Sequence, residues 1–217
     1  MRASGLLALV AAVAAALIGT TALRGGPGRD VSAAQPVAAS AGPAAAQPVV
    51  RPKPPNAADV VFAQMMVPHH QQAVRMSRLL LAKDGVHDRA RAIAEYIARD
   101  QAREASDMRA WLTAWGKPLA PGPGPAHGAH GSRWSRDLAA MPGMLTPAQL
   151  RRLDGAVGAP ATELFLRQMI EHHLGALDMA RQVVAEGDNV YTRKIAKHIL
   201  AEQAGENAAM ARLIDEL

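Results

Sequence analysis

Phe62-Ala63-Gln64-Met65-Met66-Val67-Pro68-His69-His70-Gln71-Gln72-Ala73-Val74-Arg75-Met76 is written a second time, as Phe165-Leu166-Arg167-Gln168-Met169-Ile170-Glu171-His172-His173-Leu174-Gly175-Ala176-Leu177-Asp178-Met179. Phe, Met, His-His, Ala and Met recur in register at a constant spacing of 103 residues. Further on, Ile93, Ala94, Ile97, Gln101, Ala102, Glu104 and Met108 match Ile195, Ala196, Ile199, Gln203, Ala204, Glu206 and Met210, now 102 apart. One residue is therefore gained or lost at the turn between the two matching blocks. Self-similarity at a fixed spacing decides the architecture before any local reading does. Each copy is a pair of helices, and the fold is two such pairs.

Composition supports that reading. The aromatic fraction is 3% of 217 residues, so a core is built from Leu, Ile, Val, Ala and Met, and such a chain favours helices over strands. The net charge of +5 comes from scattered Arg with no basic stripe interleaved with aromatics, which argues against nucleic-acid binding. Gly5 to Leu23 is an apolar run behind Arg2, the order of an export signal, with a weak cleavage site at Thr20-Thr21-Ala22. The run is also nearly long enough to cross a bilayer. Residues 1–23 are thus expected to be a signal peptide or an N-terminal membrane anchor, the only membrane contact. The rest is expected outside the cytoplasm, secreted or tethered. Residues 24–58 turn to Ala, Pro, Gly, Gln and Val without apolar periodicity, and read as a disordered spacer. The chain has no Cys, so soft-metal chemistry would have to use Met and His.

From residue 59 the pattern predicts an all-α four-helix bundle, with repeat one over 59–116, a crossover over 117–160 and repeat two over 161–217. The first helix is expected from about Asp59 to Lys83, with Asn56 or Asp59 as cap, a kink or late start at Pro68, and a close at Asp84-Gly85. A second helix follows from about Asp88 to Trp115, ending at Gly116. Two long helices joined by so short a turn are antiparallel neighbours. The crossover holds His127, His130, Trp134 and Met141-Pro142-Gly143-Met144, then a short helix capped by Thr146 with Pro147 in its first turn. The third long helix is expected over Thr162 to Glu186 and the fourth from Tyr191 to the end.

Met66, His69, His70, Ala73 and Met76 fall on one side of a helix. The partner helix brings Gln101, Glu104 and Met108 on one stripe. Counting outward from Gly85 sets His69 level with Gln101, and Met66 level with Glu104. The same count about Asp188 sets His172 near Gln203 and Glu206, and Met169 near Met210. Each hairpin can therefore gather imidazole, thioether and a carboxylate or amide in the interior. Thioethers favour Cu(I) or Ag(I), while imidazole accepts copper, zinc and iron alike. Glu104 and Glu206 could ligate directly or orient the His rings. Met at helical spacing is also ordinary core filling, and a buried His can be a hydrogen-bonded core residue. Met141 and Met144 are open to either role. His127 and His130 read as solvated, His87 and His198 as surface residues, and Trp111 and Trp115 as packing.

The His-His-x-x-Ala-x-x-Met and Gln-x-x-Glu-x-x-x-Met repeats, with Met-Pro-Gly-Met, resemble the domain-of-unknown-function family numbered 305. That resemblance covers about Asp59 to Leu217. It implies a ferritin-like four-helix bundle, of which some members are exported copper-binding proteins linked to copper resistance. The positions it carries over are Met66, His69, His70, Met76, Met108, Met141, Met144, Met169, His172, His173, Met179 and Met210. One departure is that members carry an Asp shortly before the second Phe, where this chain has Ala161-Thr162-Glu163-Leu164-Phe165.

The reading is an exported protein that binds copper, Cu(I) by preference, through these residues with Glu104 and Glu206, for sequestration, transfer or tolerance. It is expected to be no enzyme, and a copper-handling protein partner would receive the ion. Two rivals remain. A metal-free structural or interaction module of the envelope needs no ligand at all. A di-metal ferritin-like oxidase would need Glu-x-x-His motifs, which the sequence lacks.

Overall fold

The computed structural model describes residues 53–120 and 141–217. The export segment, most of the spacer, His127, His130 and Trp134 lie outside the described residues. Five helices follow in order: α1 (Ala57–Leu81), α2 (Asp88–Ala114), α3 (Pro147–Gly155), α4 (Gly158–Glu186) and α5 (Val190–Glu216). The described residues carry no strand, and none of their helices is long and apolar enough to cross a membrane. The all-α expectation holds, with two helical hairpins and a short crossover helix.

Local chemistry explains the helix ends. Asn56 caps α1 and Asp59 returns the bond, each side chain accepting from the other's backbone N–H at 3.0 and 2.9 Å, which satisfies two orphan donors of the first turn. The helix runs unbroken through Pro68, so the expected late start does not occur. It ends at Ala82, ahead of the expected glycine cap; Gly85 serves the turn instead. Lys117 N–H donates to the Leu112 carbonyl at 2.8 Å and Gly116 N–H to Thr113 at 3.0 Å, the paired closure of a Schellman motif on α2. Thr146 and Gln149 form a second reciprocal box at α3, with Pro147 in the first turn. The third long helix begins at Gly158, four residues before the expected Thr162.

The hairpins α1–α2 and α4–α5 meet chiefly through α1 against α4. Two apolar clusters fill the interior. One gathers Met76, Leu80, Ala94, Ile97, Phe165, Met169, Met210 and Leu213. The other gathers Phe62, Met66, Met108, Trp111, Met141, Met179, Val183 and Ile199. Along every long helix the residues between the clusters are polar: His69 and His70, Gln101 and Glu104, His172 and His173, Gln203. All seven are buried. The fold is thus a bundle whose core is cut across its middle by a polar layer.

A clamp unseen in the sequence ties the two hairpins at one end. Asp59 is fully buried. Its Oδ2 accepts from the backbone N–H of Asp188 at 3.1 Å and Asn189 at 3.0 Å, and its Oδ1 accepts from the Thr192 hydroxyl. Thr162, the position 103 residues later, plays a lighter version of the part: its hydroxyl accepts from His87 N–H at 3.0 Å and donates to Gly158 at 3.3 Å. Where α1 offers the carboxylate of Asp59, α4 offers one hydroxyl at the opposite turn. Replacing Asp59 by Ala is expected to destabilise the fold by about 2–4 kcal/mol, since it strands buried donors. Asp59→Asn, which keeps an acceptor, loses less. Urea unfolding midpoints of the two variants provide the check.

Candidate metal centre

The polar layer is built by all four long helices, and its imidazoles come from both hairpins. The rings of His69 and His172 lie with centroids 3.8 Å apart, tilted by 37°, so the two His pairs converge on one region rather than forming separate centres. His172 and His173 rings are 6.4 Å apart. Every one of these four side chains is buried.

Each ring's hydrogen bonds decide which nitrogen is free. His69 Nε2 is 3.1 Å from the Pro142 carbonyl, which can only accept, so Nε2 carries the proton and Nδ1 bears the lone pair. His70 Nε2 sits 2.8 Å from Glu104 Oε2, again leaving Nδ1 bare. His173 is fully engaged, with Nε2 3.1 Å from the Gln101 amide nitrogen and Nδ1 3.1 Å from Asn207 Oδ1. His172 has no hydrogen bond at either ring nitrogen, and the free Nδ1 atoms of His69 and His70 are likewise buried without a partner. Each such atom costs about 1–3 kcal/mol, and an apolar core is easier to build than a half-satisfied network.

Burial also sets the protonation state. Desolvation, then the neighbouring His70, holds His69 down to about 3 against the opposing Pro142 bond. Desolvation likewise takes His173 to about 3 and His172 well below its ordinary value. These imidazoles are neutral at physiological pH, the form that ligates a metal. Glu206 is pushed up to about 8, first by burial and then by Asp100, Glu202 and Glu104. At 3.5 Å from His173 Nδ1 it therefore meets the ring as one neutral group beside another, not as an ion pair.

The crossover reaches the layer through Met141-Pro142-Gly143-Met144. Met144 N–H donates to the Met141 carbonyl at 3.2 Å, and Gly143 has φ +76°. Proline followed by a left-handed glycine is the signature of a type II turn. Here no other residue fits: a Cβ on Gly143 would stand 2.5 Å from the His172 carbonyl. Opposite, Gly175 in α4 lets the Pro142 carbonyl lie against the helix backbone, where any Cβ would collide with it. The residue that precedes Gly175 by 103 positions is Gln72. Its side chain accepts from Leu145 N–H at 2.7 Å and donates to the Leu145 carbonyl at 3.0 Å. The turn is thus wedged between α1 and α4, and the carbonyl it delivers fixes the His69 tautomer.

The fourteen residues singled out in the sequence are distributed as follows. His69, His70, His172, His173 and Glu104 share the polar layer, with Glu206 beside it. Met66, Met108, Met141 and Met179 line one neighbouring apolar cluster, with Met144 half-buried against it. Met76, Met169 and Met210 line the other. His69 and Gln101 share the layer, and Gln101 makes its hydrogen bond across hairpins, to His173. Asn207, Gln72 and Gly175 were not foreseen, although a glycine inside a helix is a signal of close approach. Trp111 packs as expected, stacked on Tyr191 with centroids 5.8 Å apart. Among the described residues, three His or carboxylate ligand atoms come within 4.8 Å of one another only at Asp100, Glu104 and His198. The interior imidazoles form no such trio. An ion there would need donors beyond these imidazoles and carboxylates, and the thioethers of the flanking clusters are the soft donors at hand.

The model of the domain of unknown function DUF305 matches residues 59–214. A DUF305 protein of Streptomyces coelicolor, described as one expected to be secreted, is 31% identical, with TM-score 0.62, 73% of this chain and 91% of that chain covered. A DUF305 fragment from Deinococcus radiodurans is 28% identical, with TM-score 0.64 and coverage of 76% and 100%. CopM, solved in a Cu(I)-bound form, is 28% identical over 73% of this chain and 96% of that one, with TM-score 0.57; it is also solved with Cu(II), with Ag and in the apo form. No curated protein matches the chain.

Proposed function

The chain belongs to the DUF305 family, and on that premise we propose that it is an extracytoplasmic metal-binding protein that takes Cu(I) into the polar layer of its bundle. The observation that carries this is the set of bare, buried imidazole nitrogens on His69, His70 and His172, enclosed by Met-rich clusters on both sides. A structural core gains nothing from leaving those atoms unpaired, whereas a metal ion would complete them. CopM's copper-bound and silver-bound forms support a copper or soft-ion reading. His173 is the weakest candidate of the four, because both its nitrogens are already engaged; it serves to orient the layer. The reading extends to sequestration or transfer, with a partner protein receiving the ion, and not to catalysis. Thioether ligation favours exchange, and the di-metal oxidase reading lacks its Glu-x-x-His motifs. The apolar segment at residues 5–23 and the secreted description of the Streptomyces relative support an extracytoplasmic place.

The test is anaerobic titration of the purified full chain with Cu(I) against a colorimetric chelator. Stoichiometric Cu(I) uptake is expected, and it should raise the thermal midpoint, because a ligand that binds only the folded state stabilises it. A chain that fails to compete for Cu(I), with a midpoint indifferent to the metal, would instead be the metal-free module of the envelope.

A further inference from the structure

A second donor set lies between α2 and α5, on the outer side of the polar layer. Asp100 and Glu104 are one turn apart on α2, and His198 faces them from α5; one ligand atom from each lies within 4.8 Å of the other two. Glu104 is buried and its carboxylate is divided. Its Oε2 meets His70 at 2.8 Å, while Oε1 is 3.5 Å from His198 Nε2 and has no hydrogen-bond partner. A buried carboxylate oxygen without a donor is costly unless something positive completes it. Arg103 already rests on Asp100 Oδ1 and supplies no donor to Glu104 Oε1. The His198 side chain is open to solvent, so an ion reaches this face without the bundle opening.

We propose that Asp100, Glu104 and His198 form a second cation site, one that takes a divalent first-row ion such as Zn(II) and not Cu(I). Two carboxylates and one imidazole, with no thioether within the set, are hard-to-borderline donors, and the exposed side leaves room for water to complete the shell. The site goes beyond the interior copper reading, because it opens to solvent at His198 and because Asp100 and His198 play no part in the histidine layer. Glu104 joins the two: the same carboxylate that orients His70 would hold the outer ion.

Zn(II) titration by calorimetry of the full chain, beside an Asp100→Asn/His198→Gln double variant, tests this. Both replacements roughly keep side-chain size; His198 lies toward solvent and Asp100 is partly buried beside it. The wild type is expected to bind one more equivalent of Zn(II) than the variant, while chelator competition gives both the same Cu(I) stoichiometry. Equal Zn(II) stoichiometry, or no Zn(II) uptake by the wild type, overturns the site. Loss of Cu(I) from the variant alone overturns its separateness. Failure of both proteins to take Cu(I) defeats the interior reading yet leaves the Zn(II) difference to be read on its own.

Discussion

His172→Leu is expected to lower Cu(I) affinity about a hundredfold or more while leaving the metal-free protein as stable as the wild type, or more so. The two effects have one cause. His172 is fully buried with neither ring nitrogen bonded, so the folded protein without metal bears the full desolvation cost of the ring and recovers none of it. An apolar side chain of comparable size removes that cost, just as apolar replacement of buried polar groups is often neutral or stabilising. Chelator competition and thermal unfolding of the metal-free chain are the measurements. A variant that melts far below the wild type would show that the imidazole is structural. Retained Cu(I) affinity would remove His172 from the centre.

Acid is expected to destabilise the metal-free protein, with an unfolding midpoint of about pH 4.5 or lower. His69 and His173 are held at about 3 when folded and His172 well below its ordinary value, against an unfolded value of about 6.5. Between those limits the unfolded chain binds more protons, so stability is present above the unfolded value and is lost as pH falls through the window. Each histidine contributes a slope of about 1.4 kcal/mol per pH unit once its unfolded form is protonated. Glu206 opposes this, since its folded value near 8 makes the native state hold an extra proton above about 4.5. The net slope is therefore roughly 3 kcal/mol per unit between about pH 4.5 and 6, steepening to about 4 below that. A domain with about 5 kcal/mol in hand, the low end of the usual range, is exhausted near pH 4.5, and a more stable one at lower pH. Circular dichroism against pH reads the midpoint, and His172→Leu should move it to lower pH. Stability, read from urea midpoints, that does not fall between pH 6 and 4.5 would mean that the rings are not held neutral.

Much of the scaffold was legible because helices obey local rules. The His-His repeat placed two hairpins, Asn56 capped as its residue type requires, and Thr146-Pro147 opened α3. Pro68 does not delay the start of α1, since a long helix docked on its neighbours tolerates one missing hydrogen bond. Gly85 misled, because α1 ends three residues before it. The contacts between hairpins were beyond any such count. Counting from a turn compares levels within one hairpin, so it set His69 level with Gln101 but could not show that Gln101 bonds His173 of the other hairpin.

The sequence by itself determined that two helical hairpins carry paired histidines on faces that also carry methionine, and that with no cysteine the soft donors are thioethers. Those are properties of spacing and composition. Only the tertiary structure decided that the two pairs share one layer, that His69, His70 and His172 keep bare nitrogens while His173 does not, and that Glu104 has an outward oxygen facing His198. Which lone pair is free depends on partners supplied by other segments: the Pro142 carbonyl across Gly175, Asn207 on α5, Gln101 from the other hairpin. No periodicity encodes those meetings, because they arise from how α1 packs on α4.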